Sequence, residues 1–268
     1  MLIDFHTHTF PERIAASAIA ELSARAQIPA YTDGTLQGLL DSMHRDGVDV
    51  SVILPVATNP AQVEKINRRA LETNSSSKDL GIISFGAMHP DYADYKKELK
   101  WLKENCFRGI KLHPDYQRHF VDDRETLNIL AEAESLGLYT TFHAGIDIGY
   151  PQPVHCDPAH ARNMVDTLHP KHVILAHTGG CDQWDEVIAL LDDPDLYFDI
   201  AFSFDRITEE QFMRIVAQHG SEHLLFASDS PWDTPAHTLQ GLKKLPLTQE
   251  QLDDICYKNA LHILDIKN

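Results

Sequence analysis

The sequence predicts a (β/α)8 barrel of the TIM type, and three observations carry that expectation. Eight short apolar runs with strand character alternate with helical segments along the 268 residues. No glycine-rich phosphate turn follows an early strand, as a doubly wound nucleotide-binding sheet would require. Residues able to do chemistry stand at the C-terminal ends of strands one, four, five, six and eight. A closed barrel gathers those ends into one ring, whereas an open sheet gathers its site at one switch point.

The first strand is Leu2-Ile3-Asp4-Phe5-His6-Thr7-His8. Side chains alternate along a strand, so His6 and His8 share a face and Thr7 takes the other. An excursion at about 10–35 follows, with helical spacing from Ile14 to Ala26. Thr35 caps a helix from Leu36 to Arg45 that stops at Gly47. Val48–Leu54 is a run rich in β-branched residues, as a strand buried on both faces should be. A helix from Ala61 to Thr73 leads through Asn74-Ser75-Ser76-Ser77, which reads as a loop.

Strand three is Leu80–Ala87, followed by His89 and a helix from Tyr92 to Glu104. Strand four, Phe107–Leu112, places Lys111 and His113 on one face. Asp122 or Asp123 caps a helix to Ser135. Strand five, Leu138–Phe142, ends in His143-Ala144-Gly145 and opens a long loop rich in Gly, Pro and His. A helix from Ala159 to Leu168 precedes strand six, His172–Ala176, which ends in His177-Thr178-Gly179-Gly180. Strand seven is Leu196–Ala201, Thr208 caps a helix to His219, and strand eight, His223–Ala227, ends in Ser228-Asp229-Ser230-Pro231. A helix at about 249–264 closes the chain, and the whole of 1–268 reads as one domain.

Composition excludes several classes. The net charge of −17 argues against nucleic acid or an anionic membrane surface as partner. No apolar run is long enough to span a membrane. Met1 leads straight into the first strand, so no signal peptide is visible. Cys106, Cys156, Cys181 and Cys256 form no C-x-x-C pair, as expected of reduced thiols. These features predict a soluble, cytoplasmic protein acting on a small molecule; a homo-oligomer is compatible with them.

His6, His8, His143, His177 and Asp229 converge at one end of the expected barrel. Each alone has an ordinary structural reading, such as a helix cap for Asp229. Five independent caps would have no reason to share one end of the strands. Nitrogen and oxygen donors with an open position are the signature of a catalytic metal.

The motifs Asp-Phe-His-Thr-His, Phe-His-Ala-Gly, Leu-Ala-His-Thr-Gly-Gly and Ala-Ser-Asp-Ser-Pro-Trp, in this order, resemble the amidohydrolase superfamily. The nearest likeness is to the branch of aminocarboxymuconate-semialdehyde decarboxylase and related hydrolases. The resemblance implies His6, His8, His143 and Asp229 as metal ligands. It implies His177 as an acid–base group in one-metal members, or as a second-metal ligand in two-metal members. Lys111 occupies a setting like that of the carboxylated lysine of phosphotriesterase-like members; the alternative is a plain amine that binds an anionic substrate group.

Zinc is the expected ion, with manganese the other candidate, and one ion is expected rather than two. Asp229 and His177 are then the catalytic pair. Lys111, His113 and Arg118 are the candidate substrate binders, Arg118 because guanidinium pairs bidentately with carboxylate. Phe10, Arg13, His89, Tyr116, His155 and Trp232 are candidates to shape the pocket. The expected activity is metal-dependent hydrolysis of a small carboxylate-bearing amide, ester or lactone. The alternative is non-oxidative decarboxylation of a small unsaturated or aromatic acid.

Overall fold

The computed structural model describes residues 1–150 and 152–266. Pro151, part of the loop expected after strand five, lies outside these residues, as do Lys267 and Asn268. The strands are β1 (Ile3–Thr7), β2 (Val50–Ile53), β3 in two pieces (Ile82–Ser84 and Gly86–Ala87) and β4 (Gly109–Leu112). They continue as β5 (Tyr139–Phe142), β6 (Val173–Leu175), β7 (Tyr197–Asp199) and β8 (Leu224–Leu225).

Neighbouring strands pair in parallel, in sequence order. The first piece of β3 pairs with β2 and the second with β4; between them Phe85 N donates to Ile53 O at 2.9 Å. The ring closes where Phe5 N donates to Phe226 O at 2.8 Å and Asp229 N to His6 O at 2.9 Å. The result is the expected barrel. Gly109 is required at the start of β4, because a Cβ there would meet the Phe85 ring and Tyr139 O at 2.4 Å.

A small apolar cluster joins Phe5, Val52, Phe85, Ile174 and Leu225 from strands that are not all neighbours, so it lies inside the ring. Ala260 and Ile263 from the last helix join it. The larger cluster fills the space between the strands and the surrounding helices. The α-helices before β3 are α1 (Glu12–Ala26) in the excursion, α2 (Leu36–Asp46), and α3 (Val63–Ser76) after β2, of which α1 and α3 reach the site.

The strands are shorter than the apolar runs that announced them, because packing continues after the backbone leaves the ladder. Leu80 and His223 lie in 3-10 turns rather than strands. The Asn74-Ser75-Ser76 stretch is helical, not loop. Asn74 exchanges hydrogen bonds with the Ser84 backbone at 3.0 and 2.6 Å, and this tertiary tie overrides weak helix propensity. Asp123 occupies the N-cap position but accepts from Phe120 N at 2.7 Å instead of capping the helix. The terminal helix follows the expected path but widens into a π-turn over Asp254–Lys258. Thr35 and Thr208 cap their helices as expected. All four cysteines are free thiols. Among the described residues no helix is long and apolar enough to cross a membrane.

Candidate metal centre

The end of β1 and the segment after β8 build the first group. His8 N donates to Ser230 O at 2.6 Å, and the Asp229 N–His6 O bond lies beside it. Ser228 is anchored from below, its N–H and hydroxyl donating to Asp4 at 2.8 and 2.5 Å. Burial lifts the Asp4 carboxyl to about 7, although both Ser228 bonds oppose the rise. Asp229 itself has φ 67°, a left-handed conformation uncommon for a non-glycine residue. His177 and Thr178 share it, at 59° and 56°. Such conformations persist where the surroundings over-determine them, and they cluster at functional sites.

His6 Nδ1 stands 2.9 Å from Asp199 Oδ2, and His8 Nδ1 stands 2.9 Å from Leu54 O. Both partners only accept, so each Nδ1 carries the proton. Burial, with the Lys111 amine adding to it, holds His6 well below the usual histidine range, so its ring is neutral. With Nδ1 protonated, the lone pair of a neutral ring lies on Nε2. His6 Nε2 and His8 Nε2 nevertheless lie 3.1 Å apart. Asp229 Oδ1 lies 3.4 Å from the first and 3.1 Å from the second. Two imidazole nitrogens and a carboxylate oxygen thus meet at one spot, each able to give a lone pair to an ion. Donor atoms on one zinc-like ion, at bonds of about 2.0–2.1 Å, are about 3.0–3.4 Å apart. The residues fit a divalent cation.

His143 is not a member of this group. It belongs to a second buried cluster, His113, His143 and Asp147. The His113 and His143 rings stack at 4.1 Å, with Asp147 Oδ2 3.3 Å from His113 Nε2 and 4.0 Å from His143 Nε2. On the other side, His143 Nδ1 lies 3.0 Å from His177 Nε2. His177 Nδ1 donates to Ala201 O at 3.0 Å, so its Nε2 also faces His143 as a lone pair unless a cation or proton lies between. Gly145 makes this meeting of loops possible. At φ +79° its Cα approaches so closely that a Cβ would sit 2.0 Å from Cys181 N.

Lys111 is 1 % exposed, with Nζ 3.4 Å from His6 Nε2. Burial lowers its pKa to about 8. His6, His8, Lys111, His113, His143, His177 and Asp229 all line one cavity of about 670 Å³. Phe10, Arg13, Tyr116 and Trp232 line it too, as expected; His89, His155 and Arg118 do not. Arg118 closes the Pro114–Gln117 turn with φ 59° and is exposed, so the expected carboxylate binder faces away from the site.

Sequence reasoning missed Asp199 and Asp147. An acidic residue inside the apolar strand-seven run was the available signal for Asp199. Asp147 sits in an irregular loop and had none.

The amidohydrolase-2 family model, described as amidohydrolase, matches residues 3–266. No curated protein matches the sequence. Three solved structures illustrate the fold. The 5-carboxyvanillate decarboxylase of Sphingomonas paucimobilis is 14% identical, covers 99% of both chains and has a TM-score of 0.74. A dihydroxybenzoic acid decarboxylase of a Polaromonas species, with bound manganese and 2-nitroresorcinol, is 12% identical, covering 100% of this chain and 97% of that one, TM-score 0.74. A candidate 2-pyrone-4,6-dicarboxylic acid hydrolase of Pseudomonas putida is 15% identical, covering 100% and 98%, TM-score 0.69. Matched by the family model over residues 3–266, the chain belongs to the amidohydrolase-2 family.

Proposed function

We propose that this chain is a metal-dependent hydrolase of a small amide, ester or lactone bearing a carboxylate. The observation that carries the reading is the meeting of His6 Nε2, His8 Nε2 and Asp229 Oδ1 within 3.4 Å of one another on the cavity wall. A divalent ion held there, zinc or manganese, supplies a Lewis acid and lowers the pKa of water. Asp199 and the Leu54 carbonyl keep both imidazoles in the tautomer that presents Nε2. Asp229 receives the proton of the attacking water. His177, in contact with His143, stabilises the oxygen on which charge develops, and Asp229 returns the water's proton to the leaving group. Lys111 attracts the substrate carboxylate, being a buried cation on the same cavity.

A second reading is non-oxidative decarboxylation of a small unsaturated or aromatic acid. It is favoured by the fold likeness to the two decarboxylases above, and it uses the same ligands, with His177 or Asp229 protonating the carbon that loses its carboxyl.

A screen of metal-loaded protein against carboxylated lactones, esters, amides and aromatic acids separates the two. Released carbon dioxide without a hydrolysis product overturns the first reading. The centre itself is tested by replacing His6 and His8 together with Ala. Metal content should vanish while the protein still melts cooperatively; full occupancy in that variant overturns the assignment.

A further inference from the structure

The cavity inverts the charge of the chain. The protein has 40 acidic residues against 23 basic ones. The cavity walls instead carry five basic side chains, Arg13, Arg25, Lys65, Arg69 and Lys111, and only three carboxylates. Those carboxylates are engaged. Asp229 lies against His6 and His8, Asp147 against His113 at 3.3 Å, and Glu21 against Arg25 at 3.2 Å. Arg13 and Arg69 form no ion pair among the described residues.

These two arginines belong to neither group of candidate metal ligands. Arg13 is on α1 and Arg69 on α3, the helices that wall the outer arm of the cavity. The same two helices also bring apolar side chains to the cavity wall, Ile14, Leu22 and Ile66 among them. Burial depresses the Arg69 guanidinium and the charge of Arg13 adds to this, while Glu72 on its own helix and Glu12 on α1 oppose it without pairing with it. Two unpaired cations close enough to repel one another form a place for an anion. The volume, about 670 Å³, also exceeds what a small ring acid held at the centre would fill.

We propose that Arg13 and Arg69 bind a second anionic group of the substrate, which is therefore an elongated acid with an apolar body and a carboxylate at the end remote from the metal centre. The inference rests on the reading above for the near end of the molecule. Arg13 and Arg69 set specificity and take no part in the chemistry.

The test is calorimetric titration of manganese-loaded protein with adipate, suberate and sebacate, each against hexanoate, octanoate or decanoate of the same length. At least one dicarboxylate should bind about tenfold more tightly than its partner, the scale of one charge-assisted guanidinium–carboxylate pair. In R13Q/R69Q the preference should fall below about twofold, with monocarboxylate affinity unchanged. Equal affinities in wild type, or a preference that survives the double substitution, overturns the proposal. R69K, which keeps charge but loses the planar fork, should retain part of the preference. Metal-free protein separates the two readings. Monocarboxylate binding that ignores the metal overturns the centre, whereas metal-dependent binding without a dicarboxylate preference overturns the arginine pair alone.

Discussion

Asp199 Oδ2 accepts the Nδ1 proton of His6 at 2.9 Å, with both side chains buried. Its other oxygen accepts from His177 N and Ala201 N, each at 3.1 Å. One carboxylate therefore fixes the tautomer of a candidate ligand and ties it to the β6 loop that carries His177. Asparagine has a single acceptor for three N–H groups, so D199N must turn an NH₂ toward one of them. We expect a loss of about 10–100-fold in metal affinity, the scale of second-layer partners of ligand histidines. Competition with a chelator measures it; unchanged affinity would show that His6 needs no such support.

Asp229 serves both as ligand and as proton acceptor in the proposed mechanism. D229N keeps the shape and one donor oxygen. It should retain part of the metal while turnover falls by about 10²–10⁴-fold. Near-normal turnover would reduce Asp229 to a backbone anchor between β8 and β1.

Ion number depends on what lies between His143 Nδ1 and His177 Nε2. His143 Nε2 has no hydrogen-bond partner among the described residues, so a proton on Nδ1, shared with His177 Nε2 at 3.0 Å, satisfies the pair without a second ion. An ammonium at Lys111, 3.4 Å from His6 Nε2, opposes additional positive charge nearby. We expect one equivalent of metal per chain, a proton between His143 and His177, and the same stoichiometry in K111A. Two equivalents in wild type, falling in K111A and restored by bicarbonate with wild-type lysine, would refute this and make Lys111 a carboxylated bridge.

His219 offers a stability test far from the centre. It is 4 % exposed, packs edge-on to Phe198 at 4.5 Å, and neither ring nitrogen has a hydrogen-bond partner among the described residues. Burial lowers its pKa below 6.5 in the folded state. The unfolded chain then binds more protons, so stability is complete above about pH 6.5 and declines as pH falls below it. H219L should flatten the fall in Tm between neutral and mildly acidic buffer. A difference of about 2–4 °C corresponds to 1 kcal/mol in a chain of this size. Parallel Tm curves for the two proteins would rule His219 out.

The barrel was legible in the residue pattern alone, and so was the strand end at which His6, His8 and Asp229 gather. Strand periodicity is local, so His-x-His on β1 could be read as two imidazoles on one face before any packing was known. Asp229 was legible for a similar reason, since it follows an apolar run directly. Tertiary structure decided what these residues meet. Asp199 became a partner of His6 only because closure of the ring sets β7 next but one to β1, a separation of 193 residues that no periodicity encodes. His143 turned toward His177 and Asp147, instead of joining His6 and His8, because loops after β5 and β6 interlock at Gly145. Arg118 was excluded by its place at the end of the Pro114–Gln117 turn, and Arg69 was admitted by the placement of α3 along the cavity, where Arg13 stands as expected. Such placements come from non-local packing of whole elements, whereas residue spacing reports only which side chains share a face.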